Sequence, residues 1–251
     1  MSPVNSDRAY VPIYLALDKK DWEQASPLLR TLGNRIDGVK IHRIWDELGA
    51  KSVSMIRDLG VPDAWVDLKL FDTPDTAAER AEQVKKAGAK ILTVHAKGEV
   101  EMMMAAVKNG PELVLAITEL TSLTAEQVEV GGGLTPKSAV LHWARVAKLG
   151  TVGGVVTSAL EVGMLSKRPE LKGFVLAVPG TRSAGVDVND QKRSDTPYNA
   201  VLAGAGLIVA GRQVTAAEDP VTAIEALREE VNKASDERLR LLQEMGKKKV
   251  A

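Results

Sequence analysis

The sequence predicts an α/β fold, a closed (β/α)8 barrel, on three observations. A short apolar run, a turn and an amphipathic helical pattern recur about eight times along the chain. Strand patterns alternating with helix patterns are the signature of parallel βαβ units. No composition break and no Gly/Pro/Ser-rich linker divides the 251 residues, and 45% hydrophobic content suffices for one large core. An open doubly wound sheet fits the same beat, because periodicity does not count hydrogen-bonded neighbours.

Taken in order, strands are expected at 11–17, 36–41, 64–68, 91–94, 113–117, 154–156, 173–177 and 207–209. Each is a short apolar run bounded by turn residues. Between them, 76–87, 99–108 and 138–149 place apolar residues at every third or fourth position, as a helix with one buried face does. Thr73-Pro74-Asp75 reads as a helix start, with Thr73 as N-cap, Pro74 at the first helical position and an acid in the first turn. A long helical pattern begins at Pro220 and runs into a basic end, about 232–251. The expected organisation is one barrel domain over 1–251, with a short polar N-terminus and this helical tail.

Charge and composition narrow the function. Lys plus Arg and Asp plus Glu each total 33, so the formal net charge is zero. Such a chain has no long-range field to gather nucleic acid or an anionic membrane, and a small ligand is expected instead. The terminal G-K-K-K-V has no interleaved aromatic residues and reads as solvated rather than as a nucleic-acid patch. The absence of cysteine excludes disulfides, thiolate metal sites and a cysteine nucleophile. The first residues, M-S-P-V-N-S-D-R, lack an apolar signal core, and no apolar run approaches the roughly 20 residues that span a bilayer. A soluble, cytoplasmic protein is the expectation.

The chemistry gathers at strand ends, where parallel α/β folds hold their ligands. In V-D-L-K-L-F-D-T-P-D-T, strand alternation puts Asp67 and Lys69 on one face and Val66, Leu68 and Leu70 on the other, with Asp72 just past the strand. A solvated charge cluster capping a helix is the plainer alternative. The first strand ends in Asp18 and the second in Lys40, followed by His42 and Arg43. The fourth ends T-V-H-A-K-G, in which His95 reads as a hydrogen-bonded packing residue. The fifth is followed by T-E-L-T-S, where Thr121 and Ser122 offer hydroxyls to a polar ligand. After the seventh comes an irregular stretch, 178–197, long enough to suggest a lid or binding segment. Gly211-Arg212 follows the eighth. Loops after strands seven and eight of such barrels commonly hold phosphate, so Arg182, Gln191, Gly211 and Arg212 are the phosphate candidates.

These motifs resemble the orotidine 5′-phosphate decarboxylase family over about residues 11–226. D-L-K-L-F-D-T-P-D-T looks like that family's D-x-K-x-x-D signature, and T-V-H-A, T-E-L-T-S, V-P-G-T-R, D-Q-K-R-S-D-T-P and V-A-G-R match in order. The resemblance implies decarboxylation of orotidine 5′-phosphate to uridine 5′-phosphate, the last step of UMP biosynthesis, with no cofactor and no metal. It places the family's charged tetrad on Lys40, Asp67, Lys69 and Asp72, with Lys69 as proton donor, and its first-strand aspartate on Asp18. It implies a homodimer in which Asp72 and Thr76 reach the partner's site to touch the substrate's ribose. The pyrimidine contact falls on Thr121, and the phosphate contacts fall on Arg182, Gln191, Gly211 and Arg212.

Two positions depart from the family pattern. His42 stands where the family usually has glycine, and Thr73 where it usually has isoleucine. The sugar-phosphate decarboxylases of the same superfamily share D-x-K-x-x-D but use its carboxylates around magnesium, with an acid at the second-strand position. Lys40 occupies that position here, and a cation there disfavours a divalent metal. A non-catalytic phosphate binder is a further alternative, disfavoured by four intact charges whose mutual desolvation is costly.

Overall fold

In a computed structural model that describes residues 10–184 and 195–248, eight parallel strands close on one another in sequence order. They are β1 (Ile13–Ala16), β2 (Gly38–Ile41), β3 (Asp63–Leu70), β4 (Ile91–His95), β5 (Leu113–Ile117), β6 (Gly154–Val156), β7 (Val175–Pro179) and β8 (Leu207–Ala210). Closure is made by β8 against β1, where Leu15 pairs with Ala210. The ladder therefore settles the choice left open by periodicity in favour of the closed barrel.

The helices, in chain order, begin with α1 (Trp22–Leu32), α2 (Arg43–Leu48), α3 (Lys51–Asp58), α4 (Pro74–Lys86) and α5 (Glu99–Asn109). They continue with α6 (Ala125–Gly132), α7 (Pro136–Leu149), α8 (Ala159–Leu165), α9 (Pro197–Ala203), α10 (Arg212–Thr215) and α11 (Pro220–Lys248). Alternation along the strands splits the apolar side chains between two cores. Tyr14, Trp65, Ile91, Leu115, Val175 and Leu207 fill the barrel interior. Leu15, Val39, Ile41, Val66, Leu92 and Val114 face outward and pack under the helices.

The interior packing explains one glycine. Tyr14 and Trp65 meet edge to face with ring centroids 6.1 Å apart, and Gly38 lies against the Tyr14 ring. A Cβ on Gly38 would also stand 2.8 Å from the Asp63 carbonyl oxygen, so only glycine lets the ring in. Two residues on, the same inward face carries Lys40 into the mouth of the barrel.

Several boundaries move from their sequence expectation. The strand expected at 173–177 is Val175–Pro179, because Gly173, at φ 86, forms the turn that precedes it. The second strand begins at Gly38 rather than at residue 36, since residues 33–35 form a 3-10 turn. Strand β3 runs on to Leu70. Thr73 occupies the N-cap of α4, but its side chain makes no cap hydrogen bond and instead donates to Thr76 Oγ1 at 3.1 Å. Helix α11 remains packed well into the expected tail, with Ala234 and Ser235 buried, while Leu241, Leu242 and Met245 are exposed. No described helix is long and apolar enough to cross a membrane.

Candidate active site

Strand β3 delivers the central carboxylate. After Trp65, the next inward position is Asp67, which is 6% exposed at the floor of the barrel mouth. Its Oδ2 accepts from Lys40 Nζ at 2.8 Å and from Lys69 Nζ at 2.7 Å, and its Oδ1 accepts from the Thr93 hydroxyl at 2.5 Å. Trp65 Nε1 donates in turn to Thr93 Oγ1 at 3.3 Å. Burial alone would raise the Asp67 carboxyl, but the charges and hydrogen bonds of Lys40 and Lys69 outweigh it and lower it from 3.8 to about 2. The acid is therefore ionised at neutral pH.

Simple strand alternation does not account for Lys69. Between Val66 and Leu70 the pairing with β4 slips, since four steps on β3 match two on β4, and within this bulge Lys69 has φ 49. A non-glycine residue in the left-handed region carries strain of about 1 kcal/mol. The bulge turns the ammonium back onto Asp67, so the expected neighbours do meet, by a local irregularity rather than by pleat.

Around these charges lies a cavity of about 180 Å³ lined by Lys40, Asp67, Lys69 and Thr121 among others. It also contains Glu119, a carboxylate that the motif reading passed over. Glu119 is 6% exposed, and its Oε2 accepts from Lys97 Nζ at 3.0 Å. Both lie inside quoted motifs, T-V-H-A-K-G and T-E-L-T-S, just past the ends of the neighbouring strands β4 and β5. A charged residue two positions before a candidate ligand hydroxyl, in the loop after β5, is the available signal. Thr93 was missed because a strand threonine looks like any β-former. His95 is half-buried; its Nδ1 accepts from the Lys97 N–H at 3.4 Å, and its pKa is lowered by burial first and by Lys97 second.

The remaining candidates spread along the rim. Asp18 is exposed with Oδ1 3.3 Å from His42 Nε2, so the side chain that departs from the family pattern contacts another candidate. Asp72 is also exposed, and its Oδ1 accepts from the Thr73 N–H at 2.7 Å. Among the described residues Lys69 is bonded to Asp67, and no bond from it to Asp72 is present.

At the ends of β7 and β8, Arg182 is 6% exposed and lies against Gly211, where a Cβ would stand 4.0 Å from its guanidinium. One terminal nitrogen donates to the Thr181 carbonyl at 2.7 Å, whereas Nε is buried without a partner among the described residues, as is the Thr181 hydroxyl. Burial first, and Arg212 second, lower the pKa of this guanidinium. Arg212 itself opens α10 and is exposed. Gln191 lies outside the described residues, as do the other residues of 185–194 in the irregular stretch that contains it.

Comparison with known proteins places the chain among relatives of one family. Residues 12–227 match the family described as Orotidine 5′-phosphate decarboxylase / HUMPS family. An orotidine 5′-phosphate decarboxylase of Anaeromyxobacter dehalogenans is 39% identical over 219 residues, covering 86% of this chain and 96% of that protein. One from Syntrophotalea carbinolica is 34% identical over 237 residues, covering 90% and 96%. Among solved structures, the enzyme of that name from Lactobacillus acidophilus superposes with a TM-score of 0.76 at 30% identity, covering 89% of this chain and all of that one.

Proposed function

The chain belongs to the orotidine 5′-phosphate decarboxylase / HUMPS family, and from that premise we propose that it decarboxylates orotidine 5′-phosphate to uridine 5′-phosphate in pyrimidine biosynthesis. The observation that carries the reading is the convergence of Lys40 and Lys69 on Asp67 in the floor of the cavity. When the bond to the carboxylate breaks, its electron pair stays on a ring carbon with no adjacent carbonyl to take the charge. The barrier must fall through electrostatics aimed at that carbon. Lys69 supplies a fixed positive charge and then the proton that the carbon takes up as carbon dioxide leaves. Asp67, itself anchored by Lys40 and Thr93, holds that ammonium in place, so little reorganisation is needed at the moment of reaction.

The rest of the assignment follows the substrate outward. Thr121 on the cavity wall contacts the pyrimidine, and Asp18 and Lys40 contact the sugar side. Arg182, Gln191, Gly211 and Arg212 hold the phosphate; the Nε of Arg182, buried and without a partner among the described residues, supports this, because a buried donor left unpaired is costly until a ligand oxygen meets it. Asp72 and Thr76 reach the site of a second copy in a homodimer. The reading assigns no cofactor or metal to the reaction, and what supports it is that the two carboxylates lining the cavity among the described residues are already engaged, Asp67 by two ammoniums and a hydroxyl and Glu119 by Lys97. The enzyme works as one barrel domain in the cytoplasm.

The test is the absorbance of orotidine 5′-phosphate incubated with purified protein, with and without chelator. Loss of substrate absorbance that ignores the chelator is expected; no loss, or loss only without chelator, refutes the proposal.

A further inference from the structure

Arg182 is placed by contacts that have nothing to do with its own side chain. Its backbone N–H donates to the Asp195 carbonyl at 3.1 Å. The next residue, Ser183, is held twice: its N–H donates to Gln213 Oε1 at 3.1 Å, and its hydroxyl donates to Glu230 Oε2 at 2.6 Å. The other oxygen of Glu230 accepts from the Tyr198 N–H at 3.1 Å, in the first turn of α9. One half-buried carboxylate on α11 therefore ties together both stems of the connection between β7 and α9.

The Tyr198 hydroxyl also bonds Glu237, one more α11 carboxylate two turns along, which fixes the same stem from a second point. Glu230 does not line the charged cavity. Its two hydrogen bonds instead hold Ser183, the residue after Arg182, to the backbone of Tyr198.

We propose that Glu230 is a positioning residue for phosphate recognition: it clamps Ser183 to Tyr198 and thereby fixes Arg182 against Gly211 and near Arg212 before the substrate arrives. The inference rests on the assignment of Arg182 to the phosphate made above. Hydrogen bonds to an ionised acceptor are among the stronger ones, and displacement of a binding group by about 1 Å can cost about 100-fold, so a clamp outside the pocket can act on catalysis through placement. The role needs two acceptor-or-donor atoms, not a negative charge as such. Glutamine can keep both links, its oxygen accepting from the Tyr198 N–H and its amide donating to the Ser183 hydroxyl.

The experiment compares wild type, Glu230→Ala, Glu230→Gln and Ser183→Ala on orotidine 5′-phosphate and on orotidine, which lacks the phosphate. With the phosphorylated substrate, Glu230→Ala should lower kcat/KM about 30-fold, chiefly through KM, and Glu230→Gln should stay within about threefold of wild type. With orotidine the two variants should match wild type within about twofold. Equal losses on both substrates would overturn the proposal, since a general loss of structure does not know whether a phosphate is present. If Glu230→Ala does not fold, Ser183→Ala carries the test with the same pattern at smaller size.

A second readout is calorimetric binding of inorganic phosphate to the same proteins. Weaker binding by Glu230→Ala supports the clamp; equal binding, or none by wild type, overturns it. Wild type that binds phosphate yet leaves orotidine 5′-phosphate unchanged refutes the proposed reaction and leaves the clamp to stand on the binding difference.

Discussion

At the end of β3, two ammoniums share one buried carboxylate, whereas at the ends of β7 and β8 a buried guanidinium rests beside a glycine with no carboxylate bonded to it among the described residues. In the first region the charged side chains are already paired with one another before any ligand arrives. The second leaves Arg182 Nε and the Thr181 hydroxyl without partners among the described residues. The contrast fits two jobs: charge that must be rigid when a bond breaks is built in advance, and charge meant for a dianion is left for the dianion to neutralise.

The contrast can be broken at Lys69 first. Replacing Lys69 by alanine should lower kcat by at least about 1000-fold with the thermal midpoint within a few degrees of wild type. Near-normal turnover would remove Lys69 from the chemistry. Substituting asparagine for Asp67 should cost roughly 100-fold or more in kcat, because two neighbouring cations then lose their anchor.

The same carboxylate has a pH signature. Its folded-state pKa, about 2, lies below the ordinary 3.8, so its stabilising contribution is fully present above about pH 4 and is lost as pH falls through 3.8 towards 2. That contribution is about 2 kcal/mol. Denaturant unfolding of wild type and Asp67→Asn between pH 5 and pH 2 should give a visibly shallower pH slope for the variant; parallel slopes would place the shift elsewhere.

At the other region, alanine at Arg212 should raise KM about 100-fold and leave kcat within a few-fold, the mark of binding rather than chemistry. A fall in kcat with unchanged KM would erase the distinction between the two ends. The smallest effect is expected for Thr93→Val. It removes one hydrogen bond to Asp67 Oδ1 and leaves both ion pairs, for about 1 kcal/mol of stability and up to about tenfold in rate.

The two regions also differed in how far sequence could see them. The segment holding Asp67, Lys69 and Asp72 is contiguous, and its charges sit next to a strand whose apolar alternation marks it. The order of strands was legible for the same local reason. What misled was the pleat: Asp67 and Lys69 meet through a bulge and a left-handed residue, neither of which has a signal in V-D-L-K-L. Glu119 and Lys97 stood inside quoted motifs and went unremarked, because nothing local says that β4 and β5 bring their ends together. Glu230 carries no local signal within the long helical pattern that begins at Pro220. Its partners, Ser183 and Tyr198, come from a different part of the chain.

By itself the sequence determined the alternating strands and helices, the neutral charge that turns the protein towards a small ligand, and the charged positions at the strand ends, since these depend on spacing within a few residues. Tertiary structure decided closure of the sheet, the twist that aims Lys69, the pairing of Lys97 with Glu119 and the grip of α11 on the Arg182 segment. These depend on contacts between residues distant in the chain, and a pattern with a period of two or four residues carries no record of them.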